Sequence, residues 1–193
     1  MKVKKLNHPF FVIIGPSGSG KTKVAEAVFP IAYKVISHTT RPIRKEEIAG
    51  VDYYFETKAQ FERLLNSEAL AEHDIYHKNQ YGVGVAELIN KTREHYAYDV
   101  LTIKGFQAIE KQFGKMVIPI FLQVSKKNVL LRLQTREDDE TIIAQRAALY
   151  DRESKNKKIV TSYTPHFIID GNQSFEEVVN DVKQVVNEVI KEN

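Results

Sequence analysis

The stretch Phe10-Phe11-Val12-Ile13-Ile14-Gly15-Pro16-Ser17-Gly18-Ser19-Gly20-Lys21-Thr22 constrains the fold more than any other part of the chain. Five apolar residues empty into a glycine-rich loop that matches G-x-x-x-x-G-K-[ST] at every required position, with Gly15, Gly20, Lys21 and Thr22 in place. A turn of this composition points successive backbone N–H groups at phosphate oxygens, and the helix after it aims its positive end at the same spot. The phosphate-binding set read from the motif is Gly15, Ser17, Gly18, Ser19, Gly20, Lys21 and Thr22. Within it, Lys21 supplies a point charge for the terminal phosphates and Thr22 a hydroxyl for Mg²⁺. Val24, Ala25, Ala27 and Val28 follow at helical spacing, so the context is the strand, loop and helix that the motif requires.

At 193 residues the chain is long enough for one sizeable domain with its own core, and without cysteine it has neither disulfides nor thiolate metal sites. The formal charge is +3, with 28 basic residues interleaved among 25 acidic ones. No basic tail argues for nucleic acid or a membrane surface, so the expected partners are small anions. The apolar run before the loop is too short for a secretory core, and no stretch approaches the roughly 18 apolar residues of a membrane span. A cytoplasmic protein is the expectation.

Strands are predicted at Phe10 to Ile14, Tyr33 to Ser37, Tyr98 to Ile103, Met116 to Val124 and Phe167 to Ile169, separated by helices at Lys21 to Phe29, Gly105 to Phe113 and from Ser125 onward. Ser174 and Glu177 form a capping box for a terminal helix with Val178, Val179, Val182, Val185, Val186, Val189 and Ile190 on one face. This alternation predicts an α/β fold with a mostly parallel sheet covered on both faces and the nucleotide at the carboxyl ends of the strands. The segment from about 37 to 96 breaks the pattern, with aromatic alternation at Val51 to Phe55, a capping box at Thr57 and Gln60, and paired glycines in Tyr76 to Val85. It reads as an insertion between core segments at about 1–36 and 97–193.

The insertion carries the candidate acceptor site. Arg41 and Arg44 lie three apart across a rigid proline, followed by Glu47, Gly50 and Asp52-Tyr53-Tyr54, and two guanidinium forks beside tyrosine hydroxyls suit a phosphate monoester. In this order and approximate spacing, the loop at Gly15 to Thr22, Ser37-x-Thr-Thr-Arg41-x-x-Arg44, Glu47-x-x-Gly50-x-Asp52-Tyr53-x-Phe55, Glu72 and Tyr81-Gly82 resemble the guanylate kinase family. The resemblance implies that Arg41, Arg44, Tyr53 and Tyr81 hold the acceptor phosphate while Ser37 and Glu72 bond the guanine base. A carboxylate at Glu72 can accept from N1–H and the exocyclic amine together, a pair that adenine lacks.

The same resemblance implies a lid at about 134–147 with Arg132, Arg136 and Arg146 closing over the transferring phosphate. Lys21 and Arg41 complete the catalytic set, with ATP as donor and Mg²⁺ as cofactor. The chain departs from the family in three respects, at four positions. Glu137 replaces a lid glycine, Thr102 and Lys104 stand where an aspartate lies beside the guanine, and Val83 replaces a hydroxyl residue. A guanine amine left unpaired in a buried site costs about 1–3 kcal/mol.

The expected reaction is ATP-dependent phosphorylation of a nucleoside monophosphate, GMP foremost. One alternative is another phosphorylated acceptor: Tyr81-Gly82-Val83-Gly84 and Ile118 to Ser125 are similar to the ribose 1,5-bisphosphate phosphokinases. The other is a non-catalytic binding module. His73 and His77, four apart, lack a third ligand at a suitable interval and are read as surface or packing residues.

Overall fold

The computed structural model describes residues 5–76, 78–134 and 140–192. Strand β1 (Phe10–Ile14) is buried along its whole length and lies at the centre of the first sheet. Its neighbours are β6 (Ala97–Val100) on one side and β7 (Val117–Gln123) on the other, with β8 (Phe167–Asp170) beyond β7. Every pairing in this sheet is parallel, with Phe10 opposite both Ala97 and Val117.

Alternation along β1 explains the two covering layers, because successive side chains leave on opposite faces. Phe10, Val12 and Ile14 pack with Phe106, Ile109 and Phe113 of α4 (Ile103–Phe113) and with Val160 of α7 (Asn156–Val160). Phe11 and Ile13 pack with Val24 and Ala25 of α1 (Lys21–Val28) and with Val178, Val182, Val185, Val186 and Val189 of α8 (Phe175–Glu192). Each fully buried valine contributes about 1.5–3 kcal/mol. Ile190, expected on the same apolar face, lies at its edge and is 38% exposed.

Residues 38–84 build a second sheet, in the order β3-β2-β5-β4, from β2 (His38–Thr39), β3 (Tyr54–Phe55), β4 (Leu70–Tyr76) and β5 (Asn79–Gly84). β4 and β5 form an antiparallel hairpin, and α2 (Lys58–Asn66) seats Phe61 fully buried beneath it. Helix α3 (Val85–Lys91) returns the chain to the first sheet. A helical hairpin of α5 (Lys126–Gln134) and α6 (Glu140–Glu153) follows β7.

Two sequence expectations need correction. Tyr33 to Ser37 is not a strand of the first sheet: Tyr33 closes a short 3-10 helix, and the residues after it form an extended segment with a single parallel bridge, Lys34 to Tyr98. Its polar groups are divided: Val35 N–H donates to Tyr98 O, Ile36 N–H to Glu87 Oε1, and Ser37 O accepts from Tyr54 N–H. The strand expected through Ile103 ends at Val100, because the Thr102 hydroxyl accepts from Gly105 N–H and starts α4 early. Both expected capping boxes are formed, Thr57 with Gln60 and Ser174 with Glu177.

Candidate active site

The phosphate loop leaves β1 at the carboxyl edge of the parallel sheet, between β7 and β6. Gly20 at φ +91° caps α1 in the left-handed region, where a β-carbon would be strained. No side chain caps this helix and no acidic residue occupies its first turn. The N–H groups there and the positive helix end therefore face outward for an anion. Lys21 Nζ donates to Gly15 O at 2.8 Å and Pro16 O at 2.9 Å, folded over the loop. The Thr22 hydroxyl is on an exposed residue beside it. Ser19 Oγ is buried and has no hydrogen-bond partner among the described residues, which leaves an orphaned hydroxyl within the loop. These features fit a phosphate chain with its Mg²⁺. Among the described residues, no cluster of His, Asp and Glu offers a separate metal site.

Arg132 of α5 reaches the back of this loop, with Nη1 donating to Ser19 O at 2.9 Å and Nη2 to Gly171 O at 2.7 Å. Arg136 lies outside the described residues, as does His77. Arg146 belongs to α6, and its side chain is outside what the structure describes.

The residues expected to hold the acceptor phosphate come together on the second sheet, around β5 and the turn between β2 and β3. Arg41 forms a bidentate ion pair with Glu47, at 2.6 and 2.9 Å, and lies 5.4 Å from the Tyr53 ring centre. Hydrogen bonds from this guanidinium hold the Glu47 carboxyl below its ordinary value. The Tyr53 and Tyr81 rings meet edge to face at 6.0 Å, and burial pushes the Tyr53 phenol well up. Arg44 belongs to the same turn through its N–H bond to Glu47 Oε2, but its side chain is exposed.

At the other end of the cleft, Ser37 Oγ donates to Asp99 Oδ2 at 2.6 Å, and both residues are buried. Glu72 is buried on β4. Loss of hydration, with Asp99 and Asp74 adding like charge, pushes its carboxyl up to about 8. For Asp99, burial outweighs the bonds from Ser37 and Val100 and raises it to about 6. Room for Glu72 comes from α4, because a β-carbon on Gly105 would come within 2.8 Å of Glu72 Oε2.

Glu72, Asp74 and Tyr76 alternate along β4 and so share its inward face. Asp74 Oδ2 accepts from Thr102 Oγ1 at 2.9 Å, so the wall at Thr102 carries a carboxylate after all, supplied from the facing strand. Tyr76 OH reaches Ser17 Oγ of the phosphate loop at 3.4 Å. Lys104 is exposed on the first turn of α4, and Val83 is fully buried.

Sequence reading missed Asp99, Asp74 and Glu153, whose Oε2 accepts from Ser17 N–H at 2.7 Å. An aspartate inside the apolar run Ala97 to Val100 was the available signal for the first. The other two are joined to their partners only by tertiary folding.

A nucleotide-binding loop at the carboxyl edge of a parallel sheet, facing a second sheet lined with arginine, tyrosine and buried carboxylates, defines a phosphotransferase of the phosphate-loop NTPase fold. The guanylate kinase family model matches residues 8–189, and the chain belongs to that family, among the nucleoside monophosphate kinases. Its relatives include the guanylate kinase of Wigglesworthia glossinidia brevipalpis, 29% identical over 184 residues, covering 92% of this chain and 86% of that protein. That of Chlorobium chlorochromatii is 33% identical over 184 residues, covering 91% and 92%. That of Chlorobium luteolum is 36% identical over 142 residues, covering 68% and 70%. The crystal structure of guanylate kinase from Anaplasma phagocytophilum shares the fold, with a TM-score of 0.66 at 22% identity over 96% of this chain and 88% of that one. Among the described residues, no helix is long and apolar enough to cross a membrane.

Proposed function

We propose that the enzyme transfers the γ-phosphoryl of ATP to GMP, giving ADP and GDP. The observation that carries this reading is the pairing of buried Glu72 and Ser37 at one end of the cleft with Arg41, Tyr53 and Tyr81 at the other. A purine monophosphate spanning the two ends places its base against a carboxylate that accepts from N1–H and the 2-amine of guanine. Adenine presents no such donor pair.

In this reading, the loop N–H groups and Lys21 hold the donor phosphates, and Lys21 leaves the Gly15 and Pro16 carbonyls to do so. Arg41 exchanges part of its bond with Glu47 for the acceptor phosphate, assisted by Arg44 and the hydroxyls of Tyr53 and Tyr81. Thr22, with water and nucleotide oxygens, would hold Mg²⁺, which would supply neutralisation of charge on the phosphate chain. The acceptor phosphate is already ionised, so alignment and charge neutralisation carry the rate without a strong general base. Arg132, Arg136 and Arg146 are proposed to close over the transferring group.

A panel of GMP, dGMP, AMP, UMP and ribose 1,5-bisphosphate, each with ATP and Mg²⁺, tests the reading through ADP release. GMP is expected to give the highest kcat/KM. Preference for AMP or UMP would remove the role given to Glu72, preference for the sugar bisphosphate would move the acceptor class, and no turnover at all would leave a binding module.

A further inference from the structure

The phosphate loop is gripped differently on its two sides. On the α5 side it is packed: a β-carbon on Gly18 would sit 3.1 Å from Val129 Cγ1 and 3.2 Å from Leu133 Cδ2. Arg132 adds its bond to Ser19 O there. On the α6 side lies a cavity of about 200 Å³, lined by Pro16, Val124, Tyr150, Ser154, Lys157 and Asn172. Next to Pro16 and Ser154 on that side, Ser17 N–H donates to Glu153 Oε2 at 2.7 Å and ties the loop to α6.

Glu153 is itself well placed to bear load. It ends α6, which is fixed one turn earlier by Tyr150 OH donating to Val124 O at 2.7 Å. Lys126 of α5 pairs with Asp151 at 2.7 Å beside it. The Ser17 peptide belongs to the turn closed by Ser19 N–H on Pro16 O at 3.0 Å, so orienting that peptide orients the entry to the whole loop. The two arms of the α5–α6 hairpin thus straddle the loop, one giving a hydrogen bond to its carbonyl and the other taking one from its amide.

We propose that Glu153 is a positioning residue for donor binding, which acts through the Ser17 peptide to hold the phosphate loop in its nucleotide-accepting form. A carboxylate has the wrong charge to attract a triphosphate, so its use at this position lies in where its bond points the peptide. The inference rests on the reading of ATP as donor.

Equilibrium binding of ATP with Mg²⁺ by calorimetry tests it without an acceptor. Glu153→Ala is expected to weaken ATP binding about tenfold, as a misaligned phosphate site does, with the GMP KM within about twofold of wild type. Glu153→Gln keeps an oxygen that accepts from Ser17 N–H and is expected to bind ATP within about threefold of wild type. Equal or tighter ATP binding in Glu153→Ala would make the carboxylate a competitor for the loop and overturn the proposal. So would Glu153→Gln failing as badly as Glu153→Ala, or a loss of both substrates together with a lowered thermal midpoint. A wild type that binds ATP yet leaves GMP unphosphorylated would sink the acceptor reading while leaving this result readable.

Discussion

A carboxyl raised to about 8 is protonated at neutral pH, and Glu72 reaches that value because it is buried beside Asp99 and Asp74. Guanine needs the ionised form, since only a carboxylate accepts both donors at once. Binding GMP should therefore release a proton, and the KM for GMP should fall as the pH is raised from 7 toward 9. Folding has the opposite preference. The folded state keeps a proton that the unfolded chain sheds near 4.5, so this group lowers stability progressively as pH rises from about 4.5 to about 8. Replacing Glu72 with Gln removes the titration. The variant should show a thermal midpoint at pH 8 above that of wild type and a shallower fall between pH 5 and 8, together with a GMP KM raised about tenfold or more. An unchanged GMP KM would show that the base lies elsewhere. The clash between stability and ionisation is the expected mark of a binding carboxyl rather than a structural one.

Secondary elements differ in how openly the sequence announces them, and the reason is whether their partners are local. β1, the loop and α1 are legible because strand, turn glycines and helix are contiguous, and the capping boxes at Thr57 and Ser174 because each closes within three residues. The segment from Tyr33 to Ser37 misleads because its apolar residues are buried like a strand while its backbone bonds go to three different elements. In the site, the place of Lys21 follows from the spacing of the phosphate loop, and the grouping of Arg41 with Tyr53 and Tyr81 is what the family resemblance implies. Asp74 and Glu153 are not legible, because their partners Thr102 and Ser17 lie 28 and 136 residues away. Helix α8 offers a quantitative check at this scale. Ser174 Oγ accepts from Glu177 N–H, and Glu177 Oε2 accepts from Ser174 N–H at 2.9 Å. Ser174→Ala leaves a helix end uncapped and should cost about 1 kcal/mol in urea unfolding, with both KM values unchanged. A cost near zero would mean that solvent serves the amides equally well.

At the scale of the whole molecule, the enzyme works only if two sheets with separate hydrogen-bond networks present one continuous cleft. β4 provides the continuity: its inward face carries Glu72 at the end proposed for the base, Asp74 against Thr102, and Tyr76 beside the phosphate loop. The two halves meet where α4 of the first layer packs against β4 of the second, and there Gly105 leaves the space that Glu72 fills. Gly105→Ala isolates this junction. Gly105 is the third residue of α4 and has no positive φ, so the substitution favours folding by about 0.4–1 kcal/mol through the unfolded chain, and the N–H that bonds Thr102 is retained. The added methyl group would nevertheless come within 2.8 Å of Glu72 Oε2, the far end of a side chain that can swing away from the wall. Stability and acceptor binding should therefore move in opposite directions: a thermal midpoint equal to or above that of wild type, a GMP KM raised about tenfold, and an ATP KM unchanged. If the ATP KM rose in step, the junction would be transmitting strain to the phosphate loop along β4. If the GMP KM stayed at the wild-type value, the fit between α4 and Glu72 would not be what orients the carboxyl.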